Sequence, residues 1–355
     1  MSSSNETATH VWPRRAARPR RRWLLAILPL LTIVGLLVSA CGSATTGSGG
    51  PTTPTASPTQ TVKVFFARHP ETDNNPTAVF AMTRAATATG VQAQATYALQ
   101  QMLKGPTTVE RAQNYYSPFD GQLALQSVCP GAFRDFDLTL DHRGSNAEPG
   151  TATLQFCRRV DIPGDLDGPR MAAMVNATLT QFAQIKSVVI LNYKGDCFDD
   201  LQGQNACLKG QQTGYPVQVF FSKHPDSETA PTKVYPVSRT SPTLGVATYA
   251  ISQLIAGPTD AEKAQGYYTP LSGALSGAST CSGADFKITL NWNRTHQEDN
   301  VATLQFCRDV PGFGDTGAII VRNEITKTLT QFSNIHEVVI VYKDGSCFDD
   351  LIGCG

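Results

Sequence analysis

Nine cysteines are the residues of this 355-residue chain whose spacing most clearly predicts chemistry. Eight of them fall into two sets of four, and these are Cys129, Cys157, Cys197, Cys207, Cys281, Cys307, Cys347 and Cys354. Matched cysteines in even number are typical of disulfide bonds in exported proteins. Each set of four allows three connectivities. We favour Cys129 with Cys157, copied as Cys281 with Cys307, and we favour Cys197 with Cys207, because Cys197/Cys207 and Cys347/Cys354 flank short loops. Without a CxxC pair or a matched histidine close by, we predict no metal site.

Two acidic pairs could perform acid–base chemistry, Asp199-Asp200 and Asp349-Asp350. Paired carboxylates can divide the roles of acid and base. Adjacent residues of an extended segment point to opposite sides, however, which places two neighbouring carboxylates poorly for one substrate. We therefore interpret these aspartates as turn and surface residues and predict no catalytic residues.

Histidine and arginine also recur at matched positions. His69 and His224 each precede a proline at the end of a predicted strand, without a matched nucleophile, which favours a structural role in a turn. Arg158 and Arg308 follow the most strongly repeated stretch of the chain. They are the residues of that stretch that we predict as possible surface contacts.

All of these residues recur because the chain contains two copies of one unit. The stretch ATLQFCR occurs at 152–158 and again at 302–308, and three further stretches match around it. They are VKVFFARHP with VQVFFSKHP, ATYALQQMLKGPT with ATYAISQLIAGPT, and SVVILNYKGDCFDDL with EVVIVYKDGSCFDDL. We define 62–210 as the first repeat and 217–355 as the second repeat.

Apolar spacing within each repeat predicts the order strand, strand, helix, strand, strand, helix, strand. The first helix of each repeat should end at Gly105-Pro106 or Gly257-Pro258, because glycine accepts the left-handed cap and proline cannot continue the helix. The second helix should run from about 168 to 184. The last strand, 188–191, is apolar on both faces, which predicts a central position in the sheet. The fold class is α+β, with a mixed sheet and two helices in each of two tandem domains.

The first 61 residues have a different character. Six arginines between 14 and 22 precede an apolar run from 23 to 38, the layout of a signal peptide over 1–40. Ser39-Ala40 before Cys41 resembles the lipobox of bacterial lipoproteins, in which the cysteine carries the lipid anchor. The rest of 41–61 is rich in Gly, Ser, Thr and Pro and is typical of a flexible linker.

Charge limits the classes of partner. The first 40 residues hold six of 29 basic residues and one of 29 acidic residues, which leaves 23 and 28 in the remainder. A net charge near −5 gives no electrostatic reason to bind nucleic acid or anionic lipid headgroups. Membrane attachment is therefore expected through the lipid, on the extracytoplasmic face of the cell membrane.

The order of these motifs resembles the GerMN domain, the sporulation and spore germination module. The resemblance lies in the helix closing in LxxGPT and in TLTQF (178–182 and 328–332) followed by SVVI or EVVI, and it covers roughly 62–195 and 217–345. It implies non-catalytic extracytoplasmic modules with a fold similar to ring-building motifs. It implies no cofactor and no catalytic residue. The chain departs from the common pattern of GerMN domains in its eight cysteines and in its CFDDL tails.

Three functions follow as hypotheses. The first is a binding or scaffold lipoprotein of the sporulation and germination type that joins other envelope proteins. The second is a ligand-sensing or regulatory lipoprotein accessory to a membrane sensor, which would need a ligand site between the repeats. The third is an envelope hydrolase that uses the paired aspartates.

Overall fold

The computed structural model describes residues 60–130, 134–210 and 214–348. The predictions for the signal peptide, Cys41, Cys354, Asp349 and Asp350 lie outside these residues. Within the described ranges, no helix combines the length and the apolar character needed to cross a membrane.

The first repeat contains β-strands at both ends and two long helices between them. Its strands are β1 (Gln60–Arg68), β2 (Phe80–Ala86), β3 (Tyr115–Tyr116), β4 (Leu123–Ala124), β5 (Phe136–Arg143), β6 (Asn146–Phe156), β7 (Arg159–Val160) and β8 (Ser187–Leu191). Its α-helices are α1 (Val91–Lys104), α2 (Thr108–Arg111) and α3 (Asp167–Thr180), and a 3₁₀ helix covers Ala206–Lys209.

The second repeat follows the same plan. Its strands are β9 (Tyr215–Lys223), β10 (Tyr235–Ser241), β11 (Tyr267–Tyr268), β12 (Phe286–Asn293), β13 (His296–Phe306) and β14 (Glu337–Val341). Its helices are α4 (Asp226–Thr229), α5 (Val246–Ala256), α6 (Asp260–Lys263) and α7 (Gly314–Leu329). The predicted α+β class is confirmed.

The long strands of each repeat form two three-stranded sheets. One sheet has the order β2-β1-β3 and is antiparallel, and its copy is β10-β9-β11. The other has the order β5-β6-β8 and is mixed, since β6 pairs antiparallel with β5 and parallel with β8. Its copy is β12-β13-β14. The repeated ATLQFCR stretch thus supplies the central strand of the mixed sheet.

The predicted central position of the last strand is wrong. Strand β8 lies at the edge of its sheet, and its second side is covered by the chain that follows it. Phe198 donates its backbone N–H to the carbonyl of Ile190, and Leu191 forms an antiparallel bridge with Cys197. The same contacts join Phe348 to Ile340 in the second repeat. This coverage pairs backbone groups along the outer edge of β8, which would otherwise be open to another chain.

The second helix also ends earlier than predicted, at Thr180. Gln181, the next residue, uses its side-chain amide to bind the backbone of β1: it accepts from Lys63 N at 2.7 Å and donates to Lys63 O at 2.7 Å. Gln331 binds Gln218 in the same way. The glutamine of the TLTQF motif therefore docks the helix end onto the neighbouring sheet, and the chain continues in tight turns.

Apolar side chains from both sheets and both long helices form the core of each repeat. In the first repeat this core includes Phe66, Leu99, Phe156, Met171 and Leu179, all fully buried. The corresponding residues of the second repeat are Phe221, Ile251, Phe306, Val321 and Leu329. The burial of a side chain of this size stabilises the fold by about 1.5–3 kcal/mol.

The two repeats are joined by contacts that cross between their cores. Leu201, from the tail of the first repeat, is buried in the core of the second repeat, and its carbonyl accepts from Ser333 N at 3.2 Å. Leu244 of the second repeat packs in return against the core of the first. Leu290 N donates to Pro163 O at 3.0 Å beside a bridge between Gly164 and Thr289. The repeats therefore pack as one unit.

Candidate functional site

A groove of 720 Å³ lies at the junction of the two repeats. One side comes from the first repeat, with Gln122, the segment 159–163 and the tail loop 192–205. The other side comes from the hairpin of β12 and β13 and from Asn334, in the second repeat. Because both repeats contribute to it, the groove exists only when they are packed together. Its volume lies within the range of about 300–1,000 Å³ that is usual for ligand sites.

The β12–β13 hairpin places an aromatic side chain in this groove. The register of the two strands shifts between Leu290 and Trp292, and Asn291 in this bulge has a left-handed φ of 52°. A bulge changes the direction of the side chains that follow it. Trp292 is 37% exposed, and its cross-strand partner is Gln297.

A tight turn in the tail of the first repeat forms the opposite side of the groove. Asp200 accepts hydrogen bonds from Gln202 N at 3.2 Å and from Asn205 N at 2.6 Å. The amide of Asn205 in turn accepts from Cys197 N at 2.7 Å and donates to Asp196 at 3.0 Å. These contacts fix the loop, so the polar groups that line the groove are held in place by the fold.

Asp199 has a different environment from Asp200. Its Oδ2 atom is buried without a hydrogen-bond partner, and a Cβ on Gly168 would lie only 1.8 Å from that atom. Asp199 lies in a turn, as predicted, but its Oδ2 atom is buried against the first turn of α3 and does not face solvent. A larger residue at 168 would require the Asp199 carboxylate to move.

Two further aspartates, Asp165 and Asp167, lie near Asp199, and the first of them joins the repeats. Asp165 is 2% exposed, and its Oδ2 accepts from Thr248 N at 2.7 Å, in the first turn of α5. An aspartate of the first repeat therefore caps a helix of the second, where a carboxylate is favoured by the helix dipole. Asp167 pairs with the guanidinium of Arg170 at 2.5 Å.

Burial raises the pKa of all three aspartates. The pKa of Asp165 rises to about 6 because burial disfavours its charge, against the opposing hydrogen bonds from Thr248 and Ala247. Burial raises the pKa of Asp167 against the opposing charge of Arg170. The pKa of Asp199 rises well above its ordinary value through burial and through the nearby carboxylates of Asp165 and Asp167. This environment favours the protonated form of Asp199, whereas Asp200 accepts two backbone hydrogen bonds in its turn.

The sequence profile described as "Germane: Sporulation and spore germination" matches residues 63–192 and 218–345. The chain belongs to this family. Among solved structures, a similar chain is described as "Tandem GerMN domains of the sporulation protein GerM from Bacillus subtilis", with 15% identity. That match covers 84% of this chain and 98% of the other, with a TM-score of 0.25, which is too low for a detailed superposition. No curated protein sequence matches the chain.

The seven cysteines within the described residues of this Germane protein are all disulfide-bonded, and Cys197 lines the groove. Disulfide bonds join Cys129 to Cys157, Cys197 to Cys207, and Cys281 to Cys307. Cys347 is also disulfide-bonded. The Cys197–Cys207 bond closes the tail loop that forms one side of the groove. Within the described residues, no group of three or more His, Cys, Asp or Glu side chains is arranged to hold a metal ion.

The recurring arginines use their guanidinium groups inside the fold. Arg158 donates to the carbonyls of Leu125 and Leu123, each at 2.9 Å, and pairs with Asp135 at 3.2 Å. Arg308 donates to Gly277 O at 2.6 Å and pairs with Asp285. Both arginines therefore hold the loop that precedes β5 or β12. The role of Arg158 and Arg308 as surface contacts stays a prediction.

The recurring histidines of the Germane repeats also have partners in the fold. The His69 ring stacks on Tyr116 with centroids 4.1 Å apart, and its Nδ1 contacts Asp73 at 2.5 Å. The His224 ring stacks on Tyr268 at the same distance, and its Nδ1 contacts Glu228. Each histidine thus stacks on a tyrosine and contacts a carboxylate of its own repeat, which agrees with the structural role predicted for both.

Sequence reasoning did not identify the groove residues Trp292 and Asn334, nor the helix cap Asp165. A comparison of the two repeats does point to Trp292. Trp292 and Gln297 stand where the first repeat has His142 and Ala147, within strands that otherwise match closely. The side chains at these two positions therefore differ in chemistry, while the strands that carry them keep the same register.

Proposed function

We propose that this Germane protein is a lipid-anchored, extracytoplasmic binding or scaffold module of the sporulation and germination type, without a catalytic role. The observation that carries the proposal is the use of the recurring polar side chains. The matched arginines and histidines are occupied by partners within their own repeat. Side chains that serve catalysis need to face a reacting group with a free donor or acceptor.

The packing of the repeats supports a binding role. A chain of two separate domains needs no contacts between their cores, whereas here Leu201 and Asp165 cross the junction. The result is one continuous surface with a groove to which both repeats contribute. Concave surfaces at such junctions are a usual place for a binding site.

Anchoring is proposed through Cys41, and localisation at the outer side of the cell membrane follows from it. The test is membrane fractionation of cells that express the full chain or its Cys41→Ala variant. We expect the parent chain in the membrane fraction and the variant in the soluble extracytoplasmic fraction. A variant that stays with the membrane would contradict lipid attachment at Cys41.

The groove favours a second function, that of a ligand-sensing lipoprotein accessory to a membrane sensor. Any ligand that binds only the folded state raises the unfolding temperature. A small molecule that raises this temperature and binds at the junction would support sensing. Capture of envelope proteins by crosslinking in cells, in the absence of such a ligand, would support the scaffold function.

A further inference from the structure

The groove between the repeats carries an inference about the class of its ligand. We infer that the groove lined by Trp292, Gln297, Asp299 and Asn334 binds a neutral oligosaccharide, a chain of uncharged sugar rings. This inference rests on the proposed binding function and specifies the ligand of that same surface.

The first observation is the exposed tryptophan. Trp292 is the sole tryptophan in the described residues, and it is 37% exposed in a groove that also contains polar groups and apolar side chains such as Ile162 and Leu290. Tryptophan combines a large apolar face with one N–H donor, and its burial against a partner is strongly favourable. A sugar ring matches it, because one face of the ring presents C–H groups while hydroxyl groups surround its edge.

The second observation is the type of polar group around Trp292. The groove is rich in side-chain amides, which come from Gln122, Asn192, Asn205, Asn291, Gln297 and Asn334. The Oδ1 atom of Asn334 is buried without a hydrogen-bond partner. An amide both donates and accepts, and so does a hydroxyl. The amide oxygens of Asn192, Asn205 and Asn291 already accept backbone hydrogen bonds within the chain. A polyhydroxylated ligand can bond in either direction to the amides of Gln297 and Asn334. A buried polar atom without a partner is costly, and a hydroxyl donor on the ligand would remove that cost at Asn334.

The third observation is the charge of the groove. Five aspartates and one arginine are among the described residues that line it, and Asp161 is already paired with that arginine, Arg159. Carboxylates accept hydrogen bonds from sugar hydroxyls but repel phosphates and carboxylates. Anionic polymers are therefore disfavoured. A polycation would pair with the carboxylates but would leave the amide donors without acceptors, which favours the neutral ligand.

The fourth observation is the comparison of the two hairpins. Trp292, Gln297 and Asp299 replace His142, Ala147 and Pro149 of the first repeat, while the paired strands keep the same register and the same bulge. The two hairpins thus share one backbone arrangement, and only the second carries the side chains of Trp292, Gln297 and Asp299 that line the groove. A tryptophan is therefore not required to form this hairpin, since the first repeat forms it with His142.

The test uses the full chain, purified in detergent, on an array of neutral oligosaccharides built from glucose, galactose, mannose and N-acetylhexosamine units. Calorimetry with the best array ligand then gives the dissociation constant. We expect Trp292→Ala to weaken binding about ten-fold or more, the effect of one lost aromatic contact. Gln297→Ala should weaken it as well. His142→Ala, at the equivalent position of the first hairpin, is the matched control and should bind like the parent.

The outcomes separate the alternatives. Binding that is insensitive to added salt and lost in Trp292→Ala supports the inference, since salt screens charged ligands but not neutral ones. Binding of spermine but not of any neutral oligosaccharide would assign the groove to a cation and overturn the inference. The inference would also be overturned if no oligosaccharide on the array bound to the protein. Oligosaccharide binding that persists in Trp292→Ala would overturn it as well. Fractionation of the Cys41→Ala variant is independent of these results, so failure of the anchoring proposal is distinguishable from failure of the ligand proposal.

Discussion

A buried carboxylic acid in the second repeat makes its stability depend on pH. Glu324, on α7, is fully buried, with Oε1 accepting from Ser222 N at 2.9 Å and Oε2 accepting from the Thr269 hydroxyl at 2.6 Å. Burial raises its pKa from 4.5 to about 7, against the opposing hydrogen bonds from Thr269 and Ser222. The first repeat has Met174 at the equivalent position and carries no such acid.

The sign and size of the effect follow from proton binding. Below pH 4.5 both the folded and the unfolded chain hold the proton, and the stabilising effect of the raised pKa is fully present. Between pH 4.5 and about pH 7 the unfolded chain loses the proton first, so stability falls as pH rises through this window. The difference between the two pKa values corresponds to about 3 kcal/mol of unfolding free energy.

The assay is urea unfolding at several pH values between 4.5 and 8. Trp292 fluorescence reports on the second repeat when Trp12 and Trp23 are replaced by phenylalanine. We expect the difference in unfolding free energy between Glu324→Gln and the parent to change by about 3 kcal/mol across this window. Thr269→Val is the control that keeps the titrating acid and removes one opposing hydrogen bond, so its fall in stability should extend to higher pH than in the parent. A Glu324→Gln variant with the same pH dependence as the parent would refute the reasoning.

Three further predictions concern packing. Gly168→Ala should destabilise the chain by about 1–3 kcal/mol, because its Cβ meets the Asp199 carboxylate, and Asp199→Ala in the same chain should restore stability in urea unfolding. Leu201→Ala should lower the free energy of unfolding by about 2–5 kcal/mol. The urea midpoint reported by Trp292 fluorescence should fall with it, and an unchanged midpoint would contradict the place of Leu201 in the second core. Arg158→Ala and Arg308→Ala should each lower the free energy of unfolding by about 1–3 kcal/mol, because carbonyls of the preceding loop lose their donor. Thermal unfolding measures this loss, and a variant as stable as the parent would argue against the structural role.

Much of the fold could be predicted from the sequence because its signals are local. The glycine after α1 has a left-handed φ of 84°, as the Gly-Pro stop predicts, and its copy Gly257 has the same value. Alternation of apolar residues likewise located the β5–β6 hairpin. The position of β8 could not be predicted, because an apolar strand covered by its own tail has the same composition as a strand covered by neighbours.

The groove could not be predicted because its residues meet only after the repeats pack. Asn334 and Gln122 are more than two hundred positions apart, and no periodicity connects them. The burial of the Asp199 carboxylate could not be predicted for the same reason. The CFDD motif is typical of a surface turn, and the carboxylate is buried only because α3 packs against it. The one available signal was the difference between Trp292 and His142 in otherwise matching hairpins.

The insertion of Leu201 into the neighbouring core has a consequence for the history of this gene. Duplicated domains linked by a loose tether can be lost, reordered or exchanged singly, because each is complete without the other. Once a residue of the connecting segment fills a space in the second copy, deletion of the first copy leaves that space empty. The two halves must then be inherited together, and a substitution around Leu201 in one half constrains which substitutions the other half can accept.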